Sequence, residues 1–282
     1  MQRRRIDILV HAADDFSASR YLLRLLAGHW LREGFEIRMV RGTKAPPDAD
    51  VAILHTDLTR VPDAYLEVAR RYRLVINGRV TDIAKRRFSD LLLERGDDYA
   101  GPVMVKTDAN FGGLREHRLR QQRDAERAQE GPRRWPWASV ERLDPDAYPV
   151  FDSIEAVPEG VWANPRLVVE RFLPERHQGL YCLRTWTFLG DREICRLSRS
   201  PSPVVKSFNA VHREPLEGVP EALRRRRAEL GFDYGKFDFG IVDGRVVLYD
   251  VNRTPTVGPK MPAATAEAIG ATLAAGIHGL LG

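Results

Sequence analysis

The sequence has little cysteine, little lysine and no long apolar segment. Its two cysteines, Cys182 and Cys195, are too few for a disulfide scaffold and do not have the spacing of a zinc site. No apolar run approaches the roughly 20 residues that a membrane-spanning helix needs, and no signal peptide follows the basic N-terminus. We therefore expect a cytoplasmic protein with free thiols and no association with a membrane.

Lysine is scarce in a chain that is otherwise rich in positive charge. Of the 44 basic residues only six are lysine, and the formal net charge is +5. Arginine runs such as Arg224–Arg227 occur among acidic residues and without a nucleic-acid-binding motif. A solvated charged surface is thus the favoured interpretation, and no nucleic-acid partner is expected. Because the chain normally uses arginine, each lysine in a chemically suggestive place carries more information.

The first 80 residues alternate between strand-like and helical patterns. The strand-like segments are Ile6–His11, Phe35–Val40, Val51–His55 and Leu74–Asn77, and the helical ones are Ala18–Leu31 and Pro62–Tyr72. Alternation of this kind predicts a mostly parallel sheet with helices on both faces. The stretch has no Gly-x-Gly-x-x-Gly turn, so a dinucleotide site is not expected.

Two β-rich runs between Gly235 and Asn252 flank an Asp-Gly turn signal and predict a hairpin. Apolar residues at the odd positions predict one buried face, and a three-residue loop at 242–244 would keep both strands in that register. The same register groups Asp238, Asp250 and Asn252 on the opposite face. Such hard oxygen ligands suit Mg²⁺ when it also holds phosphates; the alternative is a row of polar residues that faces solvent.

Two lysines stand in chemically suggestive places. Lys106 ends the apolar strand Val103–Val105 and is followed by Gly112-Gly113. A lysine beside a flexible glycine loop is typical of a phosphate site, although an edge-strand lysine that reaches water has the same pattern. Lys85 begins a segment, Lys85–Glu94, that predicts a helix.

The order of these segments resembles that of the ATP-grasp superfamily, and specifically of ligases similar to the ribosomal-protein glutamate ligase and glutathione synthetase. The resemblance includes the two lysines, the strands Leu167–Glu175 and Leu183–Phe188, and the hairpin with its continuation to Pro255. It implies an α/β fold that is α+β in its nucleotide-binding part. The implied domains are an N-terminal α/β domain at 1–80, a first ATP-grasp subdomain at 81–175 with a long segment at 114–165, and a second subdomain at 176–282.

The resemblance also implies which residues bind the nucleotide and the metal. The implied ATP contacts are Lys85, Lys106, Gly112 and Gly113 at the phosphates, the hinge residues Glu170, Arg171, Phe172 and Leu173 at the adenine, and Glu175 or Gln178 at the ribose. The implied Mg²⁺ ligands are Asp238, Asp250 and Asn252. Arg184, with Arg196 or Arg199, would face the transferred phosphoryl group.

The activity that the resemblance implies is Mg·ATP-dependent joining of a carboxylate to an amine through an acylphosphate. A kinase on the same scaffold and a non-enzymatic polyanion-binding protein are the alternatives. The abundance of arginine favours an anionic small molecule or peptide as substrate, and a homodimer and a monomer are both open. Asp250 stands where the family more often has Glu, and the interval from Lys85 to Lys106 is shorter than in the family. Either that subdomain is trimmed here or Lys85 is not the phosphate lysine.

Overall fold

The described part of the chain folds into three β-sheets that follow one another along the sequence. A computed structural model describes residues 4–44, 47–49, 51–124, 137–258 and 261–282. The first sheet is parallel, and the second and third are antiparallel. This mixture of a parallel α/β unit with antiparallel sheets confirms the predicted fold class.

The first sheet has four parallel strands in the order β2-β1-β3-β4. The strands are β1 (Arg5–Val10), β2 (Glu36–Arg41), β3 (Val51–Leu54) and β4 (Leu74–Ile76), with helices α1 (Leu22–Arg32) and α2 (Asp63–Ala69) between them. All four residues of β3 are buried, because parallel sheets are covered on both faces. Ile8 packs with α1 on one face, whereas Leu9 packs with α2 on the other.

The second sheet is antiparallel with the order β5-β8-β6-β7. Its strands are β5 (Leu92–Leu93), β6 (Val103–Thr107), β7 (Val150–Phe151) and β8 (Leu167–Arg171), accompanied by α3 (Lys85–Phe88), α4 (Leu114–Asp124) and α5 (Glu159–Trp162). Val105 and Val169 pair across β6 and β8 and belong to a core cluster that includes Val161 of α5. That packing buries one face of the sheet and leaves the other free for a site.

The third sheet is the largest, with the order β12-β11-β10-β13-β14 and β9 beside β10. Its strands are β9 (Glu175–His177), β10 (Leu180–Leu189), β11 (Arg192–Ser200), β12 (His212–Leu216), β13 (Tyr234–Val242) and β14 (Arg245–Asn252), and helix α6 (Glu221–Leu230) precedes β13. Trp186, Phe188 and Phe237 form the aromatic centre of its core with Leu223 of α6. The opposite face carries the polar side chains described below.

The hairpin of β13 and β14 differs from the sequence prediction in its turn. Val242 pairs with Arg245, so the loop has two residues, Asp243 and Gly244, rather than the expected three. Both have positive φ, 50° and 73°, as in the type I′ turns whose twist matches two-stranded ribbons. A β-bulge farther along absorbs the difference: Asp238 pairs with Asp250, but the next residue, Phe239, pairs with Leu248.

Two other predicted segments are shorter than expected. The predicted helix Lys85–Glu94 ends at Phe88, and Leu92–Leu93 forms a strand that pairs with β8. The predicted strand Leu167–Glu175 ends at Arg171, and Glu175 begins a separate strand that belongs to the third sheet. The expected domain boundaries at residues 80 and 175 stay predictions.

The C-terminal segment forms two helices, α7 (Ala263–Ala274) and α8 (Ile277–Leu281). Together Ala263–Leu281 are long and apolar enough to cross a membrane, by length and composition only. Leu273 and Ile277, however, are fully buried in the core cluster of the first sheet, and the indole N–H of Trp30 donates to the carbonyl of Ala274 at 2.9 Å. This segment therefore packs on the core, and the expectation that no apolar run approaches the length of a membrane span does not hold for it.

Asn77 joins the first sheet to the third. It follows β4, has a left-handed φ of 61° and is fully buried. Its Oδ1 accepts the backbone N–H groups of Asp233 and Tyr234 at 3.0 Å, and its Nδ2 donates to the carbonyl of Tyr234 at 2.7 Å. One side chain thus satisfies three backbone groups at the start of β13, and asparagine is the residue apart from glycine that best tolerates this φ.

We expect Asn77→Ala to lower the free energy of unfolding by about 3 kcal/mol, because it leaves buried backbone groups unpaired and strains the left-handed backbone. Asn77→Gly, the matched control, loses the same hydrogen bonds without the strain and should recover about 1 kcal/mol of that loss. Urea unfolding followed by circular dichroism measures both. Equal losses in the two variants would show that the backbone conformation at Asn77 carries no strain.

Candidate active site

A cleft lies between the second and third sheets. It is open to solvent, and its empty volume, open mouth included, is about 900 Å³. Strands β6 and β8 form one wall, and β13, β14 and the start of β10 form the other. Eight of the predicted site residues line it: Lys85, Lys106, Glu170, Arg171, Phe172, Leu173, Asp238 and Asp250.

The wall from the second sheet presents Lys106 and Glu170. Strand residues alternate between faces, so Val103 and Val105 enter the core while Met104 and Lys106 face the cleft. Glu170 lies opposite Met104 on β8. The alternation of β6 therefore places Met104 and Lys106 on the side of the cleft.

Lys106 and Glu170 form a buried ion pair. Lys106 Nζ lies 2.7 Å from Glu170 Oε2, and Glu170 is only 1% exposed. Neither carboxylate oxygen has a hydrogen bond of regular geometry among the described residues, so the contact is a close charge pair rather than an aligned hydrogen bond. The same ammonium lies 3.5 Å from the carbonyl of Tyr249 on the opposite wall. Lys106 consequently spans the cleft with its charge held in place.

The wall from the third sheet presents two carboxylates side by side. Asp238 and Asp250 are directly paired across β13 and β14, and residues paired in this way share a face. Lys85 Nζ lies 3.4 Å from Asp250 Oδ1, and Lys236 Nζ lies 3.0 Å from Asp238 Oδ2. Each carboxylate thus has a lysine partner. Burial alone would lower the pKa of Lys236, but Asp238 and Asp250 outweigh burial and raise it, so this lysine stays charged at neutral pH.

Asn252 lies at the end of the same face, opposite Lys236. Its Oδ1 accepts the backbone N–H of Thr254 at 2.8 Å and lies 3.3 Å from the hydroxyl of Thr254. This turn orients the amide at the point where β14 ends. The structure therefore brings the predicted metal ligands onto one face, with Asp238 and Asp250 in the cleft and Asn252 beside them.

The bulge at Tyr249 shapes the end of the cleft near the hinge. Both Tyr249 and Asp250 line the cleft, which consecutive residues of a regular strand do not do. The hydroxyl of Tyr249 donates to the carbonyl of Leu173 at 2.8 Å and accepts the backbone N–H of Glu175 at 3.1 Å. One side chain of β14 thereby fixes the segment that follows β8.

The glycine loop, Asn110–Gly113, packs against the segment that precedes β7. Leu143 donates its backbone N–H to the carbonyl of Gly112 at 3.1 Å. Gly112 has φ 64°, and a Cβ there would lie 2.2 Å from the carbonyl oxygen of Leu143, so no other residue fits in this arrangement. Neither Gly112 nor Gly113 lines the cleft, but Phe111 beside them does, and it is 54% exposed.

Four predicted site residues lie away from the cleft. The guanidinium of Arg184 makes two contacts of 2.8 Å with the carboxylate of Glu175, which also accepts the backbone N–H of Ile241 at 2.7 Å. Arg199 donates to Glu214 at 2.7 Å. Gln178 occupies the exposed turn between β9 and β10 with φ 50°. The expected roles of these residues toward ribose and phosphate stay predictions.

Strand register explains which arginine shares the face of the carboxylates. Asp238 pairs with Thr185, and Thr185 pairs with Arg196, so all three side chains share one face. Arg184 and Arg199 occupy positions of opposite parity and lie on the other face. The sequence could not show which of the three arginines shares the face of Asp238, because the pairing of distant strands sets the face on which each side chain lies.

Lys236 and Tyr148, to which the sequence analysis assigned no site role, lie at the site together with Lys206. Lys236 precedes Asp238 by two residues on the same face. The rarity of lysine in this arginine-rich chain was the sequence signal that could have identified it. Lys206 lines the cleft and lies 3.5 Å from Asp146. Tyr148 also lines it, and burial together with nearby Asp250 raises the pKa of its hydroxyl. Nothing local in the sequence marks Tyr148.

Solved structures with the same architecture cover nearly the whole chain. They include the D-cycloserine synthetase DcsG (13% identity, TM-score 0.52, 96% of this chain and 99% of that one). They also include a RimK domain ATP-grasp protein from Sphaerobacter thermophilus (16%, 0.51, 99% and 100%) and the macrocyclase MdnC from Microcystis aeruginosa, solved with its precursor peptide MdnA (10%, 0.51, 95% and 99%). The resemblance to the ATP-grasp superfamily is confirmed in the fold, which by itself does not fix an activity.

No family model matches the chain, and no curated protein matches it. The residues of the cleft, rather than relatives in sequence, must therefore carry any assignment of function.

We expect Arg184→Met to lower the free energy of unfolding by about 2 kcal/mol, because Glu175 stays buried after it loses its guanidinium partner. The affinity for Mg·ATP should change by less than about twofold, since Arg184 lies on the face away from the cleft. Calorimetric titration and urea unfolding give the two quantities.

Arg196→Met is the matched comparison on the opposite face of the same two strands. It should leave stability nearly unchanged and weaken Mg·ATP binding. A roughly tenfold weaker affinity in Arg184→Met with normal stability would instead place Arg184 in the nucleotide site.

Proposed function

We propose that this protein is a Mg·ATP-dependent ligase that joins a carboxylate to an amine through an acylphosphate. The observation that carries the proposal is the charge arrangement across the cleft. Lys85 and Lys106 reach from the second sheet's side to Asp250 and to the Tyr249 carbonyl on the third sheet. Phosphoryl transfer requires mainly positioning and charge neutralisation, and this set of residues can supply both.

The nucleotide would lie along the cleft with its base near the hinge. That end is lined by apolar side chains, among them Leu91, Met104, Phe172 and Leu183, which suit a planar aromatic ring. The phosphates would lie toward Lys106 and Lys85, whose ammonium groups attract them. The glycine loop contributes Phe111 to the lining of the cleft.

Mg²⁺ would be held by Asp238, Asp250 and Asn252. The Oδ1 atom of Asp238 is buried and has no hydrogen-bond partner among the described residues, so it is free to act as a ligand. Two carboxylates and an amide match the preference of Mg²⁺ for oxygen ligands shared with phosphates. When bound, the metal would neutralise the phosphate charge and polarise the γ-phosphoryl group.

The proposed reaction has two steps. First, a carboxylate oxygen of the donor attacks the γ-phosphorus of ATP, the bond from that phosphorus to the β–γ bridging oxygen breaks, and ADP leaves. Next, the amine nitrogen attacks the carbonyl carbon of the acylphosphate, the carbon–oxygen bond to phosphate breaks, and nitrogen loses a proton. Lys236 and Arg196, on the face of Asp238, would stabilise the negative charge that develops in both steps.

The structure offers less support for a polyanion-binding protein. In the arginine run Arg224–Arg227, Arg224 pairs with Glu193 at 2.5 Å, and Arg226 pairs with Glu229 at 3.0 Å. Arg227 donates to the carbonyls of Gly190 and Phe232. Side chains engaged in this way are less available to phosphates. A kinase on the same scaffold would use the same cleft, so the acceptor chemistry must separate it from a ligase.

We expect the wild type to bind ATP only with Mg²⁺, and the double variant Asp238→Asn with Asp250→Asn to bind at least about 30-fold more weakly, because both metal ligands lose their charge. Asp243→Asn is the matched control: it removes one carboxylate from the same hairpin, at the exposed turn, where asparagine tolerates the left-handed φ of 50°. Calorimetry measures all three. Equal affinities in the wild type and the double variant would refute the metal site.

Hydroxylamine distinguishes the ligase from the kinase. With Mg·ATP, a panel of carboxylates and hydroxylamine, an acylphosphate yields a hydroxamate together with ADP and phosphate. Transfer to a hydroxyl gives ADP and a stable phosphoester without hydroxamate, and that result would favour the kinase.

A further inference from the structure

A second polar cluster lies outside the cleft, at the carboxyl ends of β1 and β3. We call it the Asp14 cluster, and its members are Asp14, Tyr21, His55, Asp57 and Arg115. Asp14 lies in the loop after β1, and His55 and Asp57 follow β3. In open α/β sheets, ligands bind beyond the carboxyl ends of the parallel strands. Position alone therefore makes this cluster worth testing as a binding site.

The hydroxyl of Tyr21 makes more contacts than its single proton can satisfy. It lies 2.8 Å from Asp14 Oδ2 and 2.9 Å from Asp57 Oδ2, and it accepts a hydrogen bond from Arg115 Nη2 at 3.0 Å. A phenol carries one proton and can donate to only one of the two carboxylates. The other close oxygen–oxygen contact needs a further proton or another positive group nearby.

Both carboxylate oxygens of Asp57 have hydrogen-bond donors or a positive charge beside them. Arg115 Nε lies 2.6 Å from Asp57 Oδ2, and the hydroxyl of Thr254 donates to Asp57 Oδ1 at 2.6 Å. Both of its oxygens thus have donors, and one of these is a full positive charge. Asp14 has no ion pair among the described residues, although Arg115 acts on it electrostatically.

Asp14 and His55 offer acceptors that no described residue uses. Asp14 is 5% exposed, and its Oδ1 has no hydrogen-bond partner among the described residues. His55 is fully buried, and both of its ring nitrogens lack a partner in the same described set. Burial lowers the pKa of His55 to about 3, so its ring is neutral and has one free acceptor nitrogen. Buried acceptors without donors are costly, which indicates a missing hydrogen-bond donor.

Aromatic rings surround these acceptors. The rings of Tyr21 and Phe16 lie edge-on to His55, with centroids 4.6 Å and 5.4 Å away. These contacts lie against His55 and leave its ring nitrogens, like Asp14 Oδ1, without hydrogen-bond partners among the described residues.

We infer that the Asp14 cluster binds the ammonium group of an amine substrate, with Asp14 Oδ1 and a ring nitrogen of His55 as acceptors. The inference rests on the proposed function, because only a ligase of that kind has an amine substrate to be joined. A connection to the cleft supports it. Thr254, which donates to Asp57, also donates its backbone N–H to Asn252 Oδ1 at 2.8 Å. The cluster and the predicted metal ligands are thus linked through a single residue.

Binding should release a proton. Without a ligand the charged groups that face Asp14 are Asp57, Arg115 and His11, beside the Tyr21 hydroxyl, and burial is the main cause that raises the pKa of Asp14. An ammonium binds the carboxylate form, so its affinity should rise as pH increases through the pKa of Asp14, until the amine itself loses its proton.

The test uses amine binding without ATP. Alanine amide and phenylalanine amide are titrated calorimetrically into the full-length protein, and their N-acetyl derivatives serve as matched probes without a charge. We expect the free amines to bind and the acetylated forms not to bind. Titration in two buffers of different ionisation enthalpy should show proton release. This comparison needs no variant and is therefore independent of any folding defect.

Asp14→Asn should weaken amine binding at least about tenfold and abolish its rise with pH, because the carboxylate is gone. Asp14→Glu should restore part of the affinity, and His55→Phe should weaken binding without removing the pH dependence. Asp15→Asn, one residue away and exposed, is the matched control and should behave as the wild type.

Three results would overturn the inference. They are equal binding of the amines and their acetylated forms, an unchanged affinity for the amines in Asp14→Asn, and a calorimetric signal with sodium or potassium ions equal to that with the amines. The two proposals can fail separately. Mg·ATP binding without binding of either amine would refute the amine site and leave the proposed function standing. Amine binding without Mg·ATP binding would refute the proposed function and leave the amine site standing.

Discussion

The position of β14, the strand that carries the predicted metal ligands Asp250 and Asn252, depends on one buried cation, Arg253. This residue follows β14 directly, is fully buried, and donates to the backbone carbonyls of Thr56, Leu58 and Val80. Burial lowers its pKa to about 10, so it is still charged at neutral pH. A buried guanidinium is tolerated only where acceptors surround it. Those acceptors belong to loops of the N-terminal part of the chain, which therefore hold the end of β14.

Charge balance within the cleft follows from that placement. Asp250, two residues before the end of β14, meets Lys85, while Asp238 meets Lys236 and Glu170 meets Lys106. Without ligands, lysines neutralise carboxylates that would otherwise repel one another. In the proposed reaction each ion pair would separate. The lysines would then contact the phosphates of ATP, and Asp238 and Asp250 would bind Mg²⁺. The cleft is thus preorganised, and charge is exchanged rather than newly buried.

The glycine loop is tied to the N-terminal part of the chain rather than to the cleft walls alone. Asn110 donates its backbone N–H to the hydroxyl of Thr59 at 2.8 Å, and Thr59 donates its own to Glu116 at 2.7 Å. Arg115 pairs with Asp57 at 2.6 Å. The segment that would cover the phosphates and the cluster that we assign to the amine therefore share contacts, which brings the two proposed substrates toward one place.

The sequence by itself determined the parallel first sheet, the hairpin at its Asp-Gly turn, and the apolar strand that Lys106 ends. These features follow from local periodicity and turn chemistry. Only the tertiary structure decided the bulge at Tyr249, the opposite faces of Arg184 and Arg196, and the grouping of residues around Asp14. Each of these depends on which distant strands pair and in what register. That information is spread over the whole chain, so no local pattern carries it.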